Sequence, residues 1–153
     1  MDLILWRHAE AHELHEGEAD MERPLTGRGE RQAQRVARWL DKQLPDGVRI
    51  FCSPAVRAEQ TLLSLGRKYK IRDELSPQCS HDHLLELAQW PHGKHAVLFV
   101  GHQPYLGRLA AMLLNMTDQE LSIRKAGVWW FRSRQKEHGT QTMLWAVQNP
   151  ETL

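Results

Sequence analysis

Three short segments of this 153-residue chain carry residue types suited to phosphoryl chemistry. Arg7-His8 follows the apolar run Leu3-Ile4-Leu5-Trp6. Ser53-Pro54, with Arg57 close behind, follows Val48 to Cys52. Gly101-His102-Gln103-Pro104 follows Ala96 to Val100. A guanidinium fork binds two phosphate oxygens at once. A neutral imidazole is a nucleophile, and a second one can donate to the group being transferred. Taken singly, each segment has a bland explanation: a histidine after a strand is commonly structural or solvated. Arg57 in a first helical turn would ordinarily be a surface charge set against the helix dipole. Taken together they say more. Arg7, His8, Arg57 and His102 are up to four cationic groups, and such groups do not gather without an anion to hold. Helices starting at Ser53 and near Pro104 would aim N-terminal N–H groups at the same anion.

Whether these residues meet depends on the elements that carry them. The runs 3–6, 48–52 and 96–100 lack polar alternation and suit strands covered on both faces. Thr26 suits a helix N-cap, with Ala33, Val36, Ala37, Leu40 and Leu44 on one face until Pro45-Asp46-Gly47 turns the chain. Ser53-Pro54 predicts a helix capped by Ser53 that runs to about Tyr69. Ser80 predicts the cap of another over 81–90, stopped by Pro91-His92-Gly93. Pro104 starts a fourth, carrying Leu106, Leu109, Ala110 and Leu113. Val128–Phe131 and Met143–Val147 flank a polar stretch with Gly139 and read as an antiparallel hairpin. Residues 9–25 read as a long polar surface loop. The order predicts a single α/β domain over 1–153, a three-layer sandwich with a mostly parallel central sheet and helices on both faces. In such sheets ligands bind beyond the carboxyl ends of the strands, where all three segments fall.

Composition removes other classes. The chain is 41% hydrophobic and 25% charged, an ordinary globular balance. With 20 basic and 19 acidic residues the net charge is +1, so nothing global favours nucleic acid or an anionic membrane, and any anion site must be local. The start, Met1-Asp2-Leu3-Ile4, does not read as a signal peptide, and no apolar run reaches membrane-span length. Cys52 and Cys79 read as reduced thiols of a cytoplasmic protein. His12-x-x-His15 and His81-x-His83 lack the companions of a zinc site and read as solvated loop histidines, so no metal and no cofactor is expected. Trp129, Trp130 and Trp145 read as packing on core or sheet face, and Trp6 as packing beside Arg7-His8.

Leu5-Trp6-Arg7-His8-Ala9 resembles the Arg-His-Gly signature of the histidine phosphatase superfamily, which includes phosphoglycerate mutases and acid phosphatases. Arg23-Pro24-Leu25-Thr26-x-x-Gly29, Ser53-Pro54-x-x-Arg57-Ala58-Glu59-Gln60-Thr61 and Val100-Gly101-His102-Gln103-Pro104 are similar to its later blocks, in order. The Arg-His-Ala form, the Arg-Pro-Leu-Thr block and the small size look most like the SixA-type phosphohistidine phosphatases. The resemblance implies a phosphoglycerate mutase-like fold and a metal-independent phosphatase. In it His8 is the nucleophile and becomes phosphohistidine, Arg7 and Arg57 hold phosphoryl oxygens, and a charged His102 donates to the transferring group. Arg23 and Gln103 lie in matching blocks and are candidates for binding substrate, although Arg23 could instead pair with Asp20 or Glu22.

Ala9 in place of glycine carries no functional group, and the SixA branch commonly has it. A second departure bears on substrate. Related mutases and many phosphomonoesterases carry a general acid after the second block, and residues 62–96 hold no clear match. Glu74 and Asp82 are the two candidates, with solvated charges as the alternative. An alkoxide needs a proton to leave, whereas imidazole, with a pKa of about 6.5, leaves readily once protonated. A site without a strong acid therefore suits a phosphohistidine donor. The resemblance points the same way, to the phosphorylated histidine of a partner such as a phosphotransfer domain. A phosphomonoesterase for small molecules, and a non-catalytic phosphate-binding module, stay open as alternatives. Oligomeric state is not legible.

Overall fold

The computed structural model describes residues 1–116 and 118–153. At its centre lies β1 (Asp2–Arg7), whose side chains alternate between two cores. Ile4 and Trp6 face one and Leu3 and Leu5 the other, all fully buried. Burial of each such side chain contributes about 1.5–3 kcal/mol, and a run buried on both faces requires a covered central strand.

The sheet has six strands in the order β3-β2-β4-β1-β5-β6: β2 (Arg49–Cys52), β3 (Lys70–Ile71), β4 (Val97–Gly101), β5 (Val128–Lys136) and β6 (Gly139–Gln148). β4 runs parallel to β1 and β2, and β3 parallel to β2. β5 is antiparallel to β1 and β6. The sheet is thus mostly parallel, with the expected hairpin closing one edge. Ile4, Trp6, Ile50, Leu98 and Val100 pack with α1 (Gly27–Gln43) and α2 (Val56–Leu63). Leu3, Leu5, Phe51, Val97 and Phe99 pack with α3 (Leu84–Ala88) and α4 (Tyr105–Leu113). Helices thus cover both faces of the sheet, the three-layer α/β sandwich expected from the sequence.

α1 follows its sequence signals closely. Thr26 accepts the Gly29 N–H on its hydroxyl, and Ala33, Val36, Ala37 and Leu40 are buried. Two other helix predictions need correction. α2 begins at Val56, two residues after Pro54, because the Ser53 hydroxyl accepts the Ala55 N–H in a turn before the helix. It ends at Leu63 and not near Tyr69: the chain turns through Leu65 and Gly66, where φ is +69°, a conformation natural to glycine. The turn frees Lys70–Ile71 to pair with β2 as an edge strand that the sequence reading omits. α3 spans five residues, because His83 and Gln89 at its ends are left-handed and Ser80 caps only a turn, accepting the Asp82 N–H.

The tryptophans divide. Trp6 and Trp130 are buried, and Trp6 donates its indole N–H to the Ala126 carbonyl. Trp145 is 48% exposed, with the Arg132 guanidinium 3.8 Å over its ring. Both cysteines are free thiols, and Cys52 is a buried core residue whose pKa burial raises.

Candidate active site

Because β1, β2 and β4 run parallel, their carboxyl ends share one edge, with Arg7 in register with Gly101 and Cys52 with Val100. The ladder continues one step past each strand: His8 donates its backbone N–H to the Gly101 carbonyl and Ser53 to that of Val100. His8 and Ser53 are therefore fixed by sheet hydrogen bonds and not by loop conformation, and His102 directly follows the last residue of β4. Close approach at this edge needs glycine at 101, where a Cβ would collide with the Tyr105 hydroxyl.

The result is a pair of buried imidazoles. The His8 and His102 ring centroids lie 5.0 Å apart at 53°. His8 Nδ1 lies 2.7 Å from the Ala9 carbonyl. A carbonyl only accepts, so Nδ1 carries the hydrogen and Nε2 keeps its lone pair. His102 Nε2 lies 2.8 Å from the Ser53 hydroxyl, which is fully buried. That hydroxyl already accepts from Ala55. Given its own hydrogen to Nε2, it leaves the hydrogen of a neutral ring on Nδ1.

Burial is the main force on both rings, followed by positive charge. Burial, opposed by the bond to Ala9 and joined by Arg57, Arg7 and Arg23, lowers the pKa of His8 to about 3. Burial, then His8, Arg57, Arg7 and Arg23 lower that of His102 to about 2. Burial above all, with the positive groups around it, favours the neutral form of His102. The register sets Arg7 beside Gly101, Thr61 ties Ala9 to Arg57, and Asp20 joins Arg57 to Arg23, so these arginines gather at the strand edge that carries His8 and His102.

The arginines are anchored at their tips. Arg7 donates from one terminal nitrogen to the Ile123 carbonyl at 2.8 Å. Arg57, 3% exposed, donates from one terminal nitrogen to the Asp20 carbonyl at 2.8 Å and from the other to the Asp20 carboxylate at 3.1 Å. Arg23 donates from Nε to the same carboxylate at 2.9 Å. Burial pulls the Asp20 carboxyl upward, but the Arg23 hydrogen bond and the Arg57 charge outweigh it and hold it below the usual carboxylate range. The Thr61 hydroxyl accepts from the Ala9 N–H and donates to the Arg57 carbonyl, tying the end of β1 to α2. Three buried nitrogens here have no hydrogen-bond partner among the described residues: Arg7 Nε, Arg57 Nε and His102 Nδ1. Buried donors are normally satisfied, so three orphans at one edge mark a place for an acceptor-rich group.

The other candidates are engaged elsewhere or exposed. Gln103 donates its amide to the Leu121 carbonyl at 2.9 Å, so that donor is already occupied. Glu74 pairs with Arg72 at 2.7 Å, and this hydrogen bond holds its carboxyl below the ordinary range, the wrong direction for a proton donor. Asp82 is 70% exposed, with His81 3.9 Å from its carboxylate. Sequence reasoning missed two participants. Asp20 was visible through its i,i+3 spacing to Arg23, but nothing local shows that it also holds Arg57, 37 residues away. Ser53 reads as a cap and instead binds His102, a contact made only once β2 and β4 pair.

A family model described as the histidine phosphatase superfamily (branch 1) matches residues 3–79. The phosphohistidine phosphatase SixA of Escherichia coli is 33% identical over 122 residues, covering 74% of this chain and 74% of that protein. An uncharacterized protein of Picosynechococcus is 33% identical over 164 residues, covering 100% of this chain and 99% of that one. Among solved structures, the protein histidine phosphatase SixA complexed with tungstate has the same fold, with a TM-score of 0.74 at 24% identity over 99% of both chains.

Proposed function

This chain is a SixA-like member of the histidine phosphatase superfamily, and from that premise we propose that it removes phosphoryl groups from phosphohistidine on a protein, through a covalent phospho-His8 intermediate. The observation that carries the reading is the set of three orphaned nitrogens, Arg7 Nε, Arg57 Nε and His102 Nδ1, around a pair of neutral imidazoles. A phosphoryl group presents three oxygens in need of donors. The Nδ1 hydrogen of His8 goes to the Ala9 carbonyl and leaves the Nε2 lone pair for attack, whereas the Nε2 lone pair of His102 accepts from Ser53.

His8 Nε2 attacks phosphorus as the bond from phosphorus to the substrate's imidazole nitrogen breaks. A substrate ring protonated on its other nitrogen leaves as neutral imidazole, so no enzyme acid is consumed. Arg7, Arg57 and His102 hold the oxygens as charge spreads over them, and their burial strengthens each hydrogen bond. The arriving dianion raises the His102 pKa, reversing the effect of the arginines, so the ring gains affinity for a proton as the phosphoryl group binds. Water then attacks phospho-His8, releasing phosphate and restoring the neutral ring. The absence of a poised acid at Glu74 and Asp82 supports phosphohistidine over an alkyl ester as the donor. Arg23, paired with Asp20, contributes charge at the rim.

The test is a paired assay at neutral pH, using a phosphohistidine-bearing phosphotransfer domain and a panel of phosphate esters, with His8→Ala as control. Loss of label from phosphohistidine, little ester turnover and an inactive variant is the expected outcome. Rapid ester hydrolysis would replace this reading with a phosphomonoesterase. An active His8→Ala protein would overturn the nucleophile.

A further inference from the structure

Next to Arg7 lies a surface far more basic than the chain as a whole. Two clefts of about 340 and 290 Å³ share Arg28, Gln32 and Glu151 and form one groove. Six cations line it, Arg7, Arg28, Arg31, Arg35, Arg124 and Lys125, against two carboxylates, Glu10 and Glu151. The local excess of four compares with +1 for the chain. Both carboxylates are engaged: Glu10 meets the Thr26 hydroxyl at 3.1 Å and Glu151 pairs with Arg124 at 3.1 Å. Among the described residues no carboxylate lies within ion-pair distance of Arg28, Arg31, Arg35 or Lys125, and all four are exposed.

The placement is not what helix stability favours. Arg28 stands in the first turn of α1, where the dipole disfavours a cation. Arg28, Arg31 and Arg35 follow i, i+3, i+7 spacing and form a stripe of roughly 10 Å along one helix face. That is longer than a single phosphate group spans. The groove is also tied to the site. Arg7 donates to the Ile123 carbonyl, and Ala126 donates its backbone N–H to the His8 carbonyl, so the 122–126 turn carrying Arg124 and Lys125 hangs on the end of β1.

We propose that this face docks the acidic surface of a protein partner and presents that partner's phosphohistidine to His8. The proposal rests on the reaction assigned above and names the chemistry of the protein that supplies the substrate. Fixed cations opposite carboxylates raise the rate of encounter and select orientation.

The test uses two synthetic peptides bearing one central phosphohistidine, one flanked by glutamates and one by lysines, with phosphoramidate as a small donor. The wild-type protein is expected to show kcat/KM about tenfold higher for the glutamate peptide at low salt. The preference should collapse near 0.5 M salt, where surface charges are screened. In an Arg31→Glu/Arg35→Glu variant it should vanish while phosphoramidate hydrolysis stays unchanged. Binding is read separately by anisotropy of the labelled, unphosphorylated peptides, with a DNA duplex as competitor. If no donor is hydrolysed, the assigned reaction fails, and the anisotropy still decides the surface. Equal binding of both peptides, or binding unmoved by the charge reversal, overturns the proposal. So does a duplex that displaces the glutamate peptide and itself needs Arg31 and Arg35.

Discussion

Arg57 gives both of its terminal nitrogens to Asp20, one to the carbonyl at 2.8 Å and one to the carboxylate at 3.1 Å, and so keeps Nε as its unpartnered buried donor. The planar guanidinium is locked in rotation by a residue from the loop before α1. Asp20 therefore acts as a positioning residue for the charge that faces His8 and His102.

Removing that lock should separate binding from turnover. Asp20→Ala takes away a negative charge, so affinity for a bare oxyanion such as tungstate should hold or rise. It also lets Arg57 rotate, and loss of alignment near reacting atoms costs about ten- to a hundredfold in rate. The expected result is lower kcat with unchanged or tighter tungstate inhibition, and Asp20→Asn should recover part of the rate. A variant with wild-type kcat would remove Asp20 from the mechanism.

Ser53 offers a second separable role. Its hydroxyl meets His102 Nε2 at 2.8 Å and selects which ring nitrogen bears the hydrogen. Ser53→Ala should lose about 1 kcal/mol of stability. It should also lower kcat by about tenfold and shift the pH–rate profile, because His102 is free to take the other tautomer. A drop in Tm with no change in the pH profile would leave Ser53 a purely structural group.

The legible part of this molecule is what short-range pattern controls. Leu3–Trp6 and Val97–Val100 read as doubly buried strands because they are. Thr26 reads as a cap because the cap is local. The strand-end motifs located Arg7, His8, Arg57 and His102, since parallel strands bring their carboxyl ends together whatever the loops do. What escaped depends on long-range pairing. β3 has two exposed residues, Lys70 and Ile71, and forms only because β2 offers a free edge. The Ser53 cap failed because its hydroxyl closes a turn on the Ala55 N–H before the helix, and its second partner, His102, is 49 residues away in sequence. Asp20 lies in a polar loop without periodicity, and its partner Arg57 sits on a different element.

The close approach at Gly101 can be tested by a double-mutant cycle. Gly101→Ala sets a methyl group against the Tyr105 hydroxyl, which itself donates to the Leu75 carbonyl. Overpacking of this kind costs about 1–3 kcal/mol, or about 2–4 °C of Tm per kcal/mol at this size. Tyr105→Phe removes the colliding oxygen but orphans the carbonyl. The double variant should therefore be more stable than the sum of the two single losses predicts. Strict additivity would mean that the collision is relieved elsewhere.

The two depressed imidazoles set the acid limb of stability. A histidine in the unfolded chain takes its proton near pH 6.5, whereas burial and the arginines hold His8 at about 3 and His102 at about 2. Between those limits the unfolded chain binds more protons than the folded one, so stability rises with pH from about 3 to 6.5 and gains nothing further from these groups above that. Each histidine contributes at most about 1.4 kcal/mol per pH unit within the window. Urea midpoints measured from pH 4.5 to 8 should fall on the acid side, and a His8→Asn/His102→Asn variant should lose most of that slope. Saturating tungstate should also flatten it, because a dianion beside the rings raises both pKa values toward the unfolded one and removes the difference in protons bound. An acid limb equally steep in the double variant would assign it to other groups. One that tungstate leaves untouched would mean that the anion does not bind beside the imidazoles.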